Sequence, residues 1–305
     1  MTEVDLFGAL DLDRPELAGV RGALRRGKVL VARRALAAHW RVRRKPVWIQ
    51  MDGGEASAER DRQGTRALMD RIFQFAGISY RFGRGNDIDW SFNPQEKAGA
   101  VGRSEWTYQL NRHLTWHGLA AAYRATGDEA YAQEFAYQVG DWIRDCPSPK
   151  DGEGATRAWR AAEAGVRMSG PWPDAFFAFR QSPSVSDEAL LDMAKLFAEH
   201  AAYLMPRGPS QNEASQRIVE DCGLLCVGVL FPEFKEAGVW RETAAARVCG
   251  ELERLAATAG TSIGVGDGDL KRMLPRFEWM WEFTQANGIA LPGWYRGTLE
   301  GMRRP

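Results

Sequence analysis

The feature that most constrains the fold is a helical hydrophobic period that continues almost without interruption from about Ser104. His113 and His117 lie at the edge of the first apolar stripe. That stripe is formed by Trp106, Leu110, Leu114 and Ala121. Helical segments of ten to twenty residues follow, joined by short turns and without a strand pattern between them. We therefore predict an all-α fold, and the succession of helix pairs favours an incomplete α/α toroid of antiparallel hairpins.

Residue types at the helix ends support these predictions. Thr126 and Glu129 have the spacing of a capping box, in which each side chain bonds the main chain of the other. Ser186 is a good N-cap ahead of two acidic residues. Further helices are predicted at about 159–168, 186–204, 213–230, 237–257 and 269–287.

The first part of the chain has a different composition, which predicts two units: a partly helical basic section at 1–95 and the toroid domain at 96–305. Residues 14–45 are rich in arginine, so a patch for nucleic acid or another polyanion is one interpretation. Apolar residues interleave with the charges, which favours ordinary helices with a solvated basic face. The Gly-, Asn- and Pro-rich stretch 82–99 predicts an extended loop.

Charge and hydropathy exclude several classes of partner. The chain carries 40 basic and 40 acidic residues, so no global field recruits nucleic acid or an anionic membrane. No apolar run is long enough to cross a bilayer, and the acidic start differs from a secretory signal. We expect no nucleic-acid or membrane partner and a cytoplasmic location, or a periplasmic one if a leader was removed. The four cysteines form no CxxC pair, and no cofactor is expected.

His113 and His117 are four residues apart, a spacing at which two imidazoles on one helix face can share a metal ion. The glutamate of an HExxH motif is absent between them, and no neighbouring cysteine or acidic cluster offers a third ligand. We therefore predict no metal site.

Arg112 shares a helix side with Tyr108 and Trp116, whereas Asn111 and His113 point to other sides. Guanidinium binds carboxylate bidentately and aromatic rings stack on sugars, so this side suits an acidic saccharide. The alternative is an arginine whose aliphatic stem packs on aromatic rings.

Arg160, Glu163 and Arg167 form a second polar stripe, at i, i+3 and i+7. Such a stripe is either a plain salt-bridge ladder or the lining of a cleft for an anionic substrate. The spacing is compatible with both.

Several strings together resemble the N-terminal domain of the heparinase II/III family, over about 85–255 and more loosely over 270–300. They are WTYQLNRHLTWHGLAAAYRATGDEAYA, WIRDCP, WRAAEAGVRMSGPW, EHAAYL and GLLCVGVLFPEFKEAGVWR. The resemblance implies a polysaccharide lyase with an incomplete α/α toroid followed by a β-sandwich. Its reaction would be β-elimination at a uronic acid of an acidic polysaccharide, either like heparin and heparan sulfate or another acidic glycan. One group neutralises the carboxylate and a base removes the C5 proton.

The resemblance also implies roles for particular residues. Asn212 would hydrogen-bond the uronate carboxylate, and His113 would orient the sugar or relay a proton. Arg112 would hold a carboxylate or sulfate. The remaining expected substrate-binding residues are Tyr108, Asn111, Trp116, Arg160, Glu163 and Arg167.

Two departures from the family pattern leave the activity open. Ser215 stands where the family has its carboxylate-neutralising asparagine, and Asn212 lies farther upstream. The glycine-rich run 260–268, where the family supplies a tyrosine base, has neither tyrosine nor histidine, and a local frame disturbance would explain it. The chain also ends where the β-sandwich would begin, so whether a separate chain supplies that domain is open. We expect a lyase, impaired or intact, or alternatively a non-catalytic acidic-carbohydrate-binding protein or an inactive remnant.

Overall fold

A computed structural model describes residues 3–50, 64–85, 87–97, 104–150, 155–206, 214–258 and 267–302. Asn212 and residues 259–266 of the glycine-rich region lie outside these ranges. The sequence predictions that fall on them therefore stay predictions.

The chain is helical through most of its described length. The first elements are α1 (Glu3–Ala9), α2 (Ala18–Arg25), α3 (Val29–Val42), a short helix α4 (64–69), the antiparallel strands β1 (Ile72–Phe75) and β2 (Ile78–Arg81), and α5 (Pro94–Lys97). The toroid continues through α6 (Glu105–Arg112), α7 (Trp116–Thr126), α8 (Glu129–Asp145), α9 (Ala161–Met168), α10 (Pro171–Phe179), α11 (Asp187–Leu204), α12 (Ala214–Leu230), α13 (Ala237–Thr258), α14 (Asp267–Ala286) and α15 (Trp294–Met302). The all-α prediction is confirmed, and the fold is an incomplete α/α toroid.

Helix α12 lies at the centre, in contact with α9, α11, α13 and α14. Two glycines bring its backbone very close to α9. A Cβ atom on Gly165 would lie 2.6 Å from the Val219 carbonyl oxygen, and one on Gly223 would lie 2.8 Å from the Gly165 Cα. Only glycine permits this approach, so the pair sets the distance between the two helices.

Tryptophan supplies much of the core, because its large flat ring fills the space between facing helices. The fully buried indoles are those of Trp40, Trp106, Trp116, Trp142, Trp159 and Trp172. The last three surround the His200 imidazole, with the Trp159 ring centroid 4.3 Å from it.

The capping box predicted between Thr126 and Glu129 is wrong. Thr126 is the last residue of α7, and Asp128 is the N-cap of α8, accepting a hydrogen bond from the Ala130 N–H at 2.9 Å. Gly127, at φ 67°, ends α7 first, so the two helices are separated there. Ser186 does cap α11, accepting from the Ala189 N–H at 3.1 Å.

The first stripe also breaks, because α6 ends at Arg112 and His113 adopts the left-handed conformation at φ 58°. Leu114, predicted to face the core, is consequently 47% exposed. The strand pair β1–β2 and the helices α10 and α15 were not predicted from the sequence.

The basic N-terminal segment forms α2 and α3, as predicted, and Arg25, Arg26 and Arg34 are exposed. The C-terminal end of α3, however, is held by hydrogen bonds to another part of the chain. Arg41 donates to the carbonyl oxygens of Arg180 and Val185 at 2.5 and 2.6 Å, which fixes α3 beside α11. The division at residue 95 stays a prediction.

Candidate functional site

A partly exposed group of polar side chains lies where α6 ends and α9 begins. We call it the cationic rim, and it consists of Tyr108, Arg112, Arg160 and Glu163. Arg112 donates through Nη2 to Glu163 Oε1 at 3.0 Å, and Arg160 Nη1 approaches the same oxygen at 3.5 Å. The Glu163 side chain is 1% exposed, whereas those of Arg112 and Arg160 are 26% and 36% exposed. One buried carboxylate therefore holds two accessible guanidinium groups side by side.

Local helix chemistry explains the position of these charges. Arg112 is in the last turn of α6, where a cation is favourable, and Glu163 is in the first turn of α9, where an anion is favourable. The Arg160 guanidinium carbon lies 4.0 Å from the centroid of the Tyr108 ring, a cation–π contact. Arg112 also donates to Glu105 Oε1 at 3.1 Å.

The rim has unused hydrogen-bonding capacity. A guanidinium carries five N–H donors, and within the described part of the chain Arg160 donates only to Glu163. The Nε atom of Arg112 and the Oε2 atom of Glu163 are buried without a partner among the described residues. The exposed donors of the two arginines are thus suited to oxyanions, and the Tyr108 ring offers an apolar face beside them.

A buried network lies directly beneath the rim, centred on Arg167. Its Nη1 donates to the main-chain carbonyl oxygens of Asn111 and Ala158, both at 2.8 Å, and its Nε donates to His200 Nε2 at 3.0 Å. Burial lowers the pKa of Arg167 to about 10. Arg167 stays protonated at neutral pH, and it ties together the chain segments that precede Arg112 and Arg160.

His113 is part of this buried layer, at 1% exposure. Its ring stacks on Trp116 with centroids 4.2 Å apart, and its Nδ1 accepts from the Trp172 indole N–H at 2.9 Å. Burial, followed by the nearby charges of Arg167 and His200, lowers the pKa of His113 well below its usual range. His113 is therefore a neutral acceptor at physiological pH.

Asn111 and Trp116 are fully buried as well. The Asn111 amide donates to the carbonyl oxygens of Trp90 and Thr107 at 2.8 and 2.9 Å and accepts from the Trp142 indole at 3.0 Å. The Trp116 indole donates to Gln138 at 2.9 Å. These hydrogen bonds use the polar atoms of Asn111 and Trp116 inside the protein, so the two side chains stabilise α6 and α7 from below the rim.

The two histidines considered as a metal pair diverge because the helix breaks between them. The His117 Nδ1 lies 2.7 Å from Asp174 Oδ2, and Arg124 donates to the same carboxylate at 2.6 Å. Burial acts to raise the pKa of Asp174, but hydrogen bonds from His117 and Arg124 outweigh it, and the pKa is lowered. Across the described ranges, no three His, Cys, Asp or Glu side chains are grouped as metal ligands.

The predicted site residues thus separate into two layers. The upper layer is the rim, and the lower layer contains Asn111, His113, Trp116 and Arg167. Asn212 lies outside the described residues, and Ser215 is in the first turn of α12. Glu105 was missed, although its position seven residues before Arg112 on the same helix face was a usable signal. His200 lies in the lower layer too, where its Nε2 accepts from Arg167.

The hairpins and the rim define the class: the chain is an incomplete α/α-toroid protein with a cationic, aromatic rim at one helix end. The sequence model described as Heparinase II/III N-terminus matches residues 6–302. The chain therefore belongs to the heparinase II/III family, as the sequence resemblance indicated.

Similar proteins agree with this assignment. The chain is 30% identical over 259 residues to a heparin-sulfate lyase of Bacteroides stercoris, covering 79% of this chain and 38% of that protein. It is 31% identical over 245 residues to the heparin-sulfate lyase of Pedobacter heparinus, and the alignment covers 78% of this chain and 36% of that protein. The solved structure of heparan sulfate lyase HepC from Pedobacter heparinus superimposes with a TM-score of 0.77 at 25% identity, over 99% of this chain and 47% of that one.

The chain thus spans less than half the length of the relatives it matches. In the described part of the chain, no helix combines the length and apolarity needed to cross a membrane.

Proposed function

We propose that this protein is a polysaccharide-lyase-like protein that binds a heparan-sulfate-like acidic polysaccharide and acts on its uronic acid by β-elimination. The observation that carries the proposal is the pair of accessible guanidinium groups, Arg112 and Arg160, held by the buried Glu163 carboxylate. The family membership and the lyase names of the relatives support it.

In this proposal the two layers have different tasks. Arg112 and Arg160 bind carboxylate or sulfate groups, Tyr108 packs against a sugar face, and Glu163 orients both arginines. The lower layer of Asn111, Trp116 and Arg167 supports them. Asn212 is proposed to hydrogen-bond the uronate carboxylate, and His113 to act from the buried layer in orientation or proton relay.

A second candidate function is binding without catalysis. It is favoured by the burial of His113 and by Tyr203, whose hydroxyl donates to the Trp159 carbonyl oxygen instead of lying free at the rim. A phenol needs a lowered pKa to act as a base, and a carbonyl acceptor favours its protonated form.

The test combines a titration with product chemistry. Purified protein is titrated with size-defined heparan sulfate fragments, and ultraviolet absorbance from a C4–C5 double bond is followed in the same samples. We expect Arg112→Ala to weaken binding by about tenfold, since hydrogen bonds to charged groups contribute roughly 1.5–3 kcal/mol. Arg296→Ala, which removes an exposed cation on α15, serves as the control and should leave the affinity unchanged.

The outcomes separate the candidates. Binding with new absorbance supports the lyase, whereas binding without it supports the non-catalytic candidate. An unchanged affinity in correctly folded Arg112→Ala would remove the rim from the proposal.

A further inference from the structure

A second concave site, with a volume of about 890 Å³, lies away from the rim. Its walls come from four parts of the chain: the segment before α2, the end of α3 with the residues that follow it, the region from the end of α12 into α13, and the end of α14 with the residues that follow it. The volume is in the range of pockets that enclose a small organic ligand and is far larger than an inorganic anion requires.

The charged groups that line this pocket are mostly cationic. Arg14, Arg43, Lys45 and Arg241 face two carboxylates, those of Glu16 and Glu233. Apart from His39, the four cations and two carboxylates leave an excess of two positive charges. Among the described residues, no Phe, Tyr or Trp and no third carboxylate belong to its lining. An anionic ligand is therefore favoured over a neutral or cationic one.

The cations differ in how far they are already paired. Arg14 is 2.6 Å from Glu16, and Arg43 donates to Glu233 at 2.5 Å. The Lys45 ammonium donates one hydrogen bond, to the Ala286 carbonyl oxygen at 3.0 Å, and an ammonium has three donors. Arg241 is half-buried and makes no ion pair with any described residue. Lys45 and Arg241 are thus the groups available to a ligand.

The pocket is supported by buried contacts. Its floor is the ion network of Arg43, His39 and Glu233, in which the Glu233 side chain is 2% exposed and His39 Nε2 lies 2.7 Å from Oε1. On one wall, the Asn287 amide accepts from the Val47 N–H at 2.8 Å and donates to the Val47 carbonyl oxygen at 3.0 Å. Both contacts hold the Lys45 segment in place before any ligand binds.

The pocket and the rim lie at different positions along α12. Gly165, two residues after Glu163, packs on α12 at Val219, whereas the pocket is lined by Val229 and Glu233. Val219 and Val229 are ten residues apart, which is about 15 Å along a helix, so the two sites are separate along α12.

We propose that this pocket is a second binding site for a sulfated or carboxylated saccharide unit, held by Lys45 and Arg241. The inference rests on the proposed function, because the same class of polyanion would occupy both sites. Lys45 and Arg241 bind the anionic groups, and the apolar walls formed by Val229, Pro232 and Ile289 pack against the ring carbons.

The experiment is isothermal titration of the full chain with a heparan sulfate tetrasaccharide. Wild type should bind two equivalents. Lys45→Gln with Arg241→Gln should reduce this to one, and Arg112→Ala with Arg160→Ala should remove the other. The matched control is Arg25→Ala with Arg26→Ala, which deletes two exposed cations elsewhere and should keep both equivalents. Thermal unfolding verifies that each variant is folded. If the pocket double variant does not fold, Lys45→Gln alone, at an exposed side chain, replaces it.

Each outcome is decisive. If the pocket variant titrates like wild type while the rim variant loses one equivalent, the pocket proposal is overturned and the proposed function stands. If only the pocket variant loses an equivalent, the pocket proposal stands and the rim assignment fails. A wild type that binds no tetrasaccharide overturns both. If inorganic sulfate displaces the saccharide from the pocket at equal molar affinity, the site takes a free oxyanion, and the saccharide assignment is wrong.

Discussion

The Nη1 atom of Arg167 donates a 2.8 Å hydrogen bond to the main-chain carbonyl oxygen of Asn111, the residue that precedes Arg112. The same nitrogen bonds the Ala158 carbonyl oxygen, two residues before Arg160. A single buried cation thus joins the two chain segments that carry the accessible cations of the rim. The position of the rim arginines therefore depends on a residue that never reaches solvent.

Arg167→Met should destabilise the fold strongly. The substitution keeps an apolar stem but leaves the carbonyl oxygens of Asn111 and Ala158 and the His200 Nε2 without their donor. Breaking a buried charged network costs about 3–5 kcal/mol. Urea unfolding measures the loss, and Arg296→Met, at a side chain 66% exposed that pairs with an exposed glutamate, is the control with a much smaller effect. Similar losses for the two variants would contradict a structural role of the buried guanidinium.

Gly165→Ala should push α9 away from α12. The added methyl would lie 2.6 Å from the Val219 carbonyl oxygen and 2.7 Å from the Glu220 Cα, which are backbone atoms that move only with the whole helix. We expect a loss of about 2–4 kcal/mol. Gly140→Ala is the matched comparison, since its Cβ meets nothing within 4 Å on an exposed face of α8. There, alanine should stabilise by about 0.5–1 kcal/mol. Equal effects at both glycines would show that the helix contact is looser than described.

Stability should fall between about pH 7 and pH 5 because of two buried histidines. Burial, together with the charge of Arg167, holds the pKa values of His113 and His200 well below the usual 6.5. The unfolded chain takes up protons below about pH 6.5 and the folded chain does not, so the contribution is present above that pH and lost below it. Each histidine accounts for up to about 2 kcal/mol over this interval.

The measurement is the slope of unfolding free energy against pH. His113→Asn, a residue type that tolerates the left-handed backbone at this position, should reduce the slope by about half while the fold persists. A slope equal to that of wild type would mean that His113 titrates normally in the folded protein.

Glu233 should control a separate loss of stability in acid. Burial acts to raise its pKa, but the charge of Arg43 and hydrogen bonds from His39 and Arg43 outweigh it and lower the pKa to about 2. Its contribution is therefore present above about pH 4.5 and lost as the pH falls towards 2, by about 3 kcal/mol. Glu233→Gln should be less stable at neutral pH and should show a flatter decline in this acid range. Parallel declines for the two proteins would contradict the lowered pKa.

The sequence predicts the helix boundaries well where the hydrophobic period and the residue types at the helix ends agree. The predicted 186–204, 213–230 and 237–257 correspond to Asp187–Leu204, Ala214–Leu230 and Ala237–Thr258. The break at His113 was not predicted because no glycine or proline marks it, and the ring gains its stacking on Trp116 only in the folded core. Helix α10 was missed because Pro171 and Pro173 resemble a turn, although proline is well tolerated in a first helical turn.

The candidate site was predictable as a set of residue types and not as an arrangement. Helical spacing places Tyr108 and Arg112 together, but the pairing of Arg112 with Glu163 joins α6 to α9 across 51 positions. The same spacing put Arg167 in a stripe with Arg160, although Arg167 is buried and Arg160 is partly exposed. Burial depends on how α9 packs on α12, which the local pattern does not contain.

The position of the exposed rim above a buried network also affects which substitutions this protein tolerates during evolution. Tyr108, Arg112 and Arg160 lie outside the tryptophan-rich layer, so under the proposed function substitutions there would alter recognition without opening the core. Substitutions in the layer below, such as Arg167→Met, would cost folding free energy as well. If the rim is the binding surface, descendants of such a gene would acquire new ligands by changes at a few surface positions, whereas selection for stability would conserve the indole-lined interior.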